Sequence, residues 1–148
     1  MLRLRSQYFS SLLIGKEREF MRQLVGDQEA GINKLTAGEI KANIDNYGTF
    51  NDRPPDATSA IKAYRSANPI SDDIFAQEYL ANNPSAKFAA THSPDMILGG
   101  RAIGITGYGD LGVNSSIGSQ NKYVMPQIYN AVSSVPPNNF ITFILAGC

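Results

Sequence analysis

The single histidine of the chain precedes an aspartate by three residues, in the segment His92-Ser93-Pro94-Asp95. The proline stiffens the turn, so the imidazole and the carboxylate can face a common centre. An imidazole in such a position can act as a general base on water, and a carboxylate can bind a metal ion or orient the imidazole. The same spacing also suits a turn in which His92 caps a helix and Asp95 begins the next turn. Spacing alone leaves both interpretations open.

A second polar segment, residues 107–120, is rich in glycine and contains one carboxylate, Asp110. It lacks the Gly-Lys-Ser/Thr of a P-loop, and we predict no strand-then-helix context for a Rossmann fingerprint, so nucleotide binding is disfavoured. Neutral donors and acceptors in this segment suit a phosphate or a hydrated metal ion. The alternative is a structural turn that caps the last helix. The polar side chains concerned are Asn114, Ser115, Ser116 and Gln120.

Two further features lie outside these segments. Arg101 lies between them and can bind a phosphate through two parallel hydrogen bonds, or pair with Asp95 or Asp110. Residues 28–33 (QEAGIN) are typical of a helix C-terminus, with Gly31 as the residue that ends the helix.

Composition limits the remaining kinds of site. The 13 basic and 13 acidic residues give a formal charge of zero, which excludes binding to nucleic acid by bulk positive charge alone. A bound divalent cation can still supply positive charge. One histidine excludes a metal site of several imidazoles, and one cysteine, Cys148, excludes an intramolecular disulfide; we interpret Cys148 as a bystander. No apolar run approaches the roughly 18–20 residues of a membrane span.

The elements that must position these residues are mostly helices. We predict an α+β, predominantly helical, single compact domain with a Gly-rich active-site loop region over residues 88–121 and a possible C-terminal strand at 140–145, without a clear partner. Residues 1–20 are predicted to be an N-terminal helix or a linker to a possible upstream delivery region, and residues 21–148 the main domain. A helical period over the first residues joins Phe9, Leu12, Leu13, Phe20, Leu24 and Val25.

Local signals predict the other helices. Thr36 and Glu39 have the spacing of a capping box, so a helix should follow and end near Gly48 with Ile40 and Ile44 inward. A short helix should open at Asp56 and stop before Pro69. The next should have Ser71 as its N-cap, and the last should start near Pro126. The buried face of the helix after Ser71 is predicted to comprise Ile74, Phe75, Tyr79 and Leu80.

Taken together, the segments resemble the polymorphic toxin type 15 family (novel toxin 15, the HxxD toxins). The resemblance extends from about Met21 to about Ile128, in the family's order. One difference is Asn121, where the family commonly has an aromatic residue, often Trp. The strings that carry the resemblance are residues 28–36, His92-Ser93-Pro94-Asp95, Gly99-Gly100, Gly109-Asp110 and residues 113–120.

The resemblance implies a nuclease toxin, the C-terminal part of a bacterial effector, with residues 21–148 as its toxin domain. Such effectors are delivered by contact-dependent or type VI secretion without a classical signal peptide, act in the target-cell cytoplasm, and are neutralised by a cognate immunity protein. A secretion-system carrier or chaperone is a further implied partner. His92 and Asp95 match the catalytic HxxD pair, and Asp110, Asn114 and Gln120 match family positions.

The expected activity is therefore metal-dependent hydrolysis of phosphodiester bonds, in DNA more than in RNA. His92 would deprotonate water, and Asp95 with Asp110 would hold a divalent cation, Mg²⁺. Two alternatives stay open: an RNase of the same family that needs no metal, and an inactive module that binds an immunity or delivery partner. The expected substrate-binding residues are Arg101, Asn114, Ser115, Ser116 and Gln120.

Overall fold

The order of elements was obtained from a computed structural model, in which residues 2–8, 16–47 and 55–147 are described. Helices predominate and the strands are short, so the predicted α+β, mainly helical single domain is confirmed. The elements are β1 (Leu2–Tyr8), α1 (Glu17–Met21), a π-helical stretch (Arg22–Glu29), α2 (Ala30–Ile32), α3 (Ala37–Tyr47), α4 (Pro55–Ala67), α5 (Ile74–Asn82), β2 (Phe88–His92), β3 (Ile105–Asp110), α6 (Leu111–Ser133) and β4 (Phe143–Gly147), with short 3₁₀ turns at Ile70–Asp72 and Met96–Leu98.

The strands form two separate pairs. β2 and β3 are antiparallel, with Phe88 opposite Asp110 and His92 opposite Ile105. β1 and β4 are parallel, with Leu2 opposite Phe143. The C-terminal strand is thereby confirmed, slightly later than predicted, and β1 is the partner that the sequence did not reveal.

The long helix α6 organises the main hydrophobic core. Its buried residues recur at helical spacing and pack against α3, the π-helical stretch and β4. A smaller cluster lies where α4 and α5 cover the β2–β3 pair, around Phe88 and Tyr108. The apolar residues that α6 buries are Val113, Ile117, Val124, Ile128 and Val132.

Three local predictions are confirmed. Thr36 and Glu39 form the capping box, with the Glu39 N–H donating to Thr36 Oγ1 over 3.2 Å and the Thr36 N–H donating to the Glu39 carboxylate over 2.8 Å. Helix α3 follows and buries Ile40 and Ile44. Helices α4 and α5 occur where predicted and end before Pro69 and at Asn82.

The N-terminal prediction is wrong for Leu2–Tyr8, which form a strand instead of a helix or linker. The alternation Leu-Arg-Leu-Arg at residues 2–5 has the period of a strand, which the helical interpretation overlooked. Downstream, Phe20 and Leu24 are buried as predicted, whereas Val25 is exposed. Phe9, Leu12, Leu13, Gly48 and Cys148 lie outside the described residues.

The glycine-rich region is a loop only over residues 93–104, and the last helix does not start near Pro126. The rest of residues 88–121 forms β2, β3 and the first half of α6, which continues through Pro126. We predicted no strand followed by a helix here, whereas β3 leads directly into α6. Because β3 is antiparallel to β2, this part of the fold is nevertheless not a Rossmann arrangement. Burial of an apolar stripe along α6 outweighs the low helix propensity of its glycines and proline.

Two details of α5 also differ. Its N-cap is Asp73, whose carboxylate accepts from the Ala76 N–H over 2.8 Å, because Ser71 lies in the preceding 3₁₀ turn. Ile74 is 76% exposed instead of buried. Phe75, Tyr79 and Leu80 do pack against the smaller cluster.

Within the described ranges, no helix combines the length and the apolar character needed to cross a bilayer.

Candidate active site

A cavity of about 350 Å³ opens between the start of α6, the end of β2, α4 and the end of α3. Its wall contains both members of the HxxD pair, His92 and Asp95, together with Asn114 and Ser115 from the first turns of α6. Two segments that are separate in the sequence therefore face one space. This cavity is our candidate active site.

His92 is the last residue of β2, not a helix cap. Its Nε2 lies 2.9 Å from the carbonyl oxygen of Ala102. A carbonyl oxygen can only accept, so Nε2 must carry the proton in this contact. In the neutral ring the basic lone pair is therefore on Nδ1, which is the atom that can accept a proton from water.

Asp95 begins the 3₁₀ turn Met96–Leu98, so the turn-forming interpretation of this residue is confirmed. Its Oδ1 accepts from the Ile97 N–H over 3.3 Å, and its Oδ2 accepts from Asn121 Nδ2 over 3.2 Å. Both oxygens are thus oriented by the protein while the side chain still lines the cavity. One carboxylate thus caps the 3₁₀ turn and also faces the cavity.

The side-chain amide of Gln28 holds the two ends of the HxxD turn. Its Oε1 accepts from the Asp95 N–H over 2.8 Å, and its Nε2 donates to the His92 carbonyl over 3.5 Å. Gln28 is only 1% exposed, so these contacts replace water for the backbone groups concerned. Sequence analysis missed this function, because the contact spans 67 residues and no local pattern encodes it.

Two glycines allow the surrounding backbone to approach the same turn. A Cβ atom at Gly31 would lie 2.4 Å from the Ser93 carbonyl carbon, and one at Gly100 would lie 1.8 Å from the Pro94 oxygen. Ser93 Oγ also donates to the Asp27 carbonyl over 2.7 Å. The predicted helix C-terminus in residues 28–33 is confirmed, because α2 ends at Ile32 with Asn33 as its C-cap. Gly31 itself is not the stop, since it lies inside α2 and contacts the turn.

The other polar residues of the 28–33 segment fasten it to β4. Asn33 donates to the Phe143 carbonyl over 2.9 Å and accepts from the Phe143 N–H over 2.8 Å. Glu29 Oε2 accepts from the Leu145 N–H over 2.9 Å. This segment thus joins the HxxD turn to the last strand.

Asp110 lies outside the cavity wall. It is the N-cap of α6, accepting from the Val113 N–H over 3.0 Å, and it also accepts from the Tyr79 hydroxyl over 2.9 Å. Lys16 Nζ is 3.6 Å from Oδ2, the same oxygen that accepts from Tyr79, and the Asp110 side chain is 3% exposed. Asp110, and not Asn114 or Ser115, therefore caps this helix.

Asp110 and Asp95 do not form a shared metal site. Asp110 caps the start of α6, whereas Asp95 contacts Asn121, three turns farther along and roughly 16 Å away at 1.5 Å per residue. Two oxygens bound to one Mg²⁺ lie within about 4 Å of each other. Within the described ranges, no three side chains of the His, Cys, Asp and Glu types are grouped to hold a metal ion.

Asp95 alone does fit the way in which Mg²⁺ is commonly held, through one or two carboxylates with the remaining positions filled by water and substrate phosphate. Its carboxylate lines the cavity, and Asn114 adds a neutral amide to the same wall. Asn114 Nδ2 donates to Gln23 over 3.3 Å. The residues present therefore suit a cation that arrives with the substrate better than a resident one.

The three other predicted substrate-binding residues are not among those that line the cavity. The Arg101 guanidinium is 2.5 Å from Glu39 Oε1, at the capping box of α3. Gln120 Nε2 donates to the carbonyl and the hydroxyl of Ser116, both over 3.1 Å, within α6. These side chains lie in or next to helices and bond to them.

A different arginine, Arg65, lines the cavity. It is carried by α4 and donates through Nη2 to the Phe88 carbonyl over 2.8 Å, with its guanidinium 5.7 Å from the centre of the Tyr108 ring. The sequence offered no signal for it, because α4 is distant from both motifs along the chain.

Asn121 is fully buried and donates to the HxxD carboxylate. The position at which this chain differs from the aromatic common in the resembling family is therefore in direct contact with Asp95. The Asn121 amide donates a hydrogen bond to this carboxylate, which a phenyl ring could not do.

A family model described as Novel toxin 15 matches residues 16–140, a range that contains the whole cavity wall. The comparison with curated proteins gives no match.

Proposed function

The chain belongs to the Novel toxin 15 family, and from this premise we propose that it is the nuclease domain of a bacterial effector, hydrolysing phosphodiester bonds in DNA. The observation that carries the proposal is the convergence of His92, Asp95, Asn114 and Ser115 on one cavity. An imidazole, a carboxylate and neutral hydrogen-bonding groups around one space are the components that phosphodiester hydrolysis requires.

In the proposed reaction, Nδ1 of His92 takes a proton from water as the water oxygen forms a bond to phosphorus. The bond from phosphorus to the leaving oxygen breaks, and that oxygen then takes a proton from solvent. Asn114 and Ser115 position the phosphate by hydrogen bonds. Asp95 would hold a divalent cation, which when bound neutralises charge on the phosphate oxygens.

The proposed biological setting follows from the family. The domain is delivered into a competing bacterium by a secretion system, with a carrier or chaperone, and acts in the target-cell cytoplasm. A cognate immunity protein protects the producing cell. The neutral overall charge means that the protein does not accumulate on nucleic acid by bulk attraction, so the site itself must provide the affinity.

The test is digestion of plasmid and of total RNA by the purified protein, with Mg²⁺ and with EDTA, beside the variants His92→Ala and Asp95→Asn. We expect Mg²⁺-dependent loss of plasmid, reduced about 100-fold or more in His92→Ala. Circular dichroism establishes that each variant is folded. Plasmid cleavage that persists at the wild-type rate in both variants would overturn the proposed mechanism.

A second candidate is an RNase that needs no metal, in which the His92 imidazole in the cavity wall acts without a cation. In the same assay, this candidate predicts intact plasmid and RNA degradation that survives EDTA. If neither nucleic acid is cut, the domain acts by binding a partner, and expression in a bacterium will be harmless.

A further inference from the structure

The candidate active site has an electrostatic requirement that the HxxD pair does not meet. A phosphodiester is an anion, and Asp95 is a carboxylate in the same wall. Two negative groups brought together in a partly enclosed space repel each other, so a cation must be present for the substrate to bind. Among the lining residues that the structure describes, Arg65 is the permanently charged cation.

A hydrogen bond orients Arg65, which is otherwise an exposed residue. Nη2 donates to the Phe88 carbonyl at the start of β2, the strand that ends in His92. This contact uses one of five guanidinium N–H groups, so the planar fork retains donors for two phosphate oxygens. Arg65 therefore reaches the cavity from a support that also carries the proposed general base.

The ion pairs of the described residues distinguish Arg65 from the predicted Arg101. Arg101 is paired with Glu39, and the described acidic residues form no ion pair with Arg65. A cation that is already neutralised by a carboxylate gains less from a phosphate than one that is not. Arg101 also does not line the cavity, whereas Arg65 does.

We propose that Arg65 is the residue that binds the substrate phosphate in this cavity, in the role that the sequence assigned to Arg101. The inference rests on the proposed function, since it names the group that holds the phosphodiester for attack. It extends that function by placing the phosphate between α4 and the HxxD turn. The ligand class is a nucleic-acid phosphodiester.

The experiment measures binding separately from cleavage. A fluorescent DNA duplex is titrated with His92→Ala protein in EDTA over a range of salt concentrations, alone and combined with Arg65→Gln, Arg65→Lys or Arg101→Gln. Arg101→Gln is the matched control, because it removes the same charge from outside the cavity. Cleavage rates of the four corresponding proteins with His92 intact are measured in parallel.

We expect Arg65→Gln to weaken binding about tenfold, equivalent to about 1.4 kcal/mol. Its salt dependence should lose about one unit of slope, as expected for one phosphate contact. Arg65→Lys keeps the charge but not the fork, so its affinity should be intermediate. Arg101→Gln should remain within about twofold of its parent. If Arg65→Gln is poorly folded, the Lys variant decides the comparison.

The outcomes separate the two proposals. If plasmid cleavage depends on His92 but both Arg65 variants bind and cleave like their parents, the assignment of Arg65 is wrong and the nuclease proposal stands. An effect of Arg101→Gln equal to that of Arg65→Gln also overturns it. If the wild-type protein neither binds nor cuts nucleic acid, both proposals fail.

Discussion

At the scale of single residues, the site depends on amides as much as on ionisable groups. Gln28 contacts the backbone at both ends of the HxxD turn, and Asn121 contacts the Asp95 carboxylate itself. Both amides are buried. Their hydrogen bonds define where the imidazole and the carboxylate can point, which is the geometric condition for acid–base chemistry.

The Gln28→Ala variant tests this dependence. We expect about 1–3 kcal/mol lower stability, because the Asp95 N–H loses its partner in a partly buried position. We also expect a larger proportional loss of kcat than of substrate affinity. Gln77→Ala is the control, since Gln77 makes an exposed bond to the Ile70 carbonyl. Urea unfolding and steady-state kinetics provide the two measurements. Unchanged kcat in folded Gln28→Ala would show that the turn holds its geometry without the amide.

Site residues with local motifs could be proposed from the sequence, whereas residues that act through long-range contacts could not. His92 and Asp95 could be proposed from the sequence, because few residue types perform acid–base chemistry and their spacing is local. Gln28 and Arg65 are common surface residue types, and their contacts reach across 64–67 and 23 residues respectively. No short pattern reports such contacts. Asp110 was predicted to be a metal ligand, whereas it caps α6, because a capping carboxylate and a metal-binding carboxylate look alike in a sequence.

At the scale of elements, the helical segment over residues 17–32 is the support of the site. It contacts the HxxD turn through Gln28 and Gly31. Glu29 and the C-cap residue Asn33, which follows the segment, contact β4. Consecutive residues of one segment therefore face different parts of the fold. The segment acts as a spacer between the turn and β4: because Gly31 has no side chain, the backbone of residues 93–94 can pack directly against it.

Two glycines in this segment give a matched pair of substitutions. Gly31→Ala places a methyl group against the Ser93 backbone, so we expect about 1–3 kcal/mol of destabilisation and reduced nuclease activity as the turn is displaced. Gly26→Ala meets nothing within 4 Å and should be neutral or stabilising by up to about 1 kcal/mol. Thermal unfolding and plasmid cleavage compare them. Equal behaviour of the two variants would contradict the spacer role.

Elements also show where sequence patterns succeed. The capping box at Thr36 and Glu39 was predicted correctly, because both partners lie within one turn. The start of α6 was predicted wrongly, because its glycines and Pro126 weaken the local helix propensity. The burial that compensates for this comes from packing against α3 and β4, which are distant in the sequence. Strand β1 could be paired only once β4, at the other end of the described chain, was known.

At the scale of the whole molecule, the net charge is zero, but individual carboxyl groups have pKa values shifted in opposite directions. Burial raises the pKa of Asp27, whose Oδ2 is buried and without a hydrogen-bond partner. Burial likewise raises the pKa of Glu19. Asp45 is exposed, and its hydrogen bonds with Tyr129 and Lys41 lower its pKa. The pH dependence of stability is the sum of these opposing contributions.

The variants Asp27→Asn and Asp45→Asn should separate the two contributions. Asp27 binds its proton more tightly in the folded state, so its contribution to stability falls as the pH rises from about 3.8 through its raised pKa. Over that pH interval, the free energy of unfolding of Asp27→Asn should therefore increase relative to that of the wild type. Asp45 stabilises above about 3.8 and loses this contribution as pH falls through its lowered pKa. Urea unfolding between pH 3 and pH 8 measures both. Parallel profiles for the two variants would refute this assignment.

The contacts of the 17–32 segment also have a consequence for when activity can arise. Its bonds to the HxxD turn and to β4 close loops of 67 and 116 residues. Closing such loops costs chain entropy before any contact compensates for it, so these contacts form late in folding. During synthesis, Asp95 has no partner at Oδ2 until residue 121 has left the ribosome, and the supporting segment is not secured until residue 145 follows. A nascent chain that has not reached residue 145 therefore lacks the contacts that assemble the candidate site, and any activity of this toxin domain must wait for the completed fold.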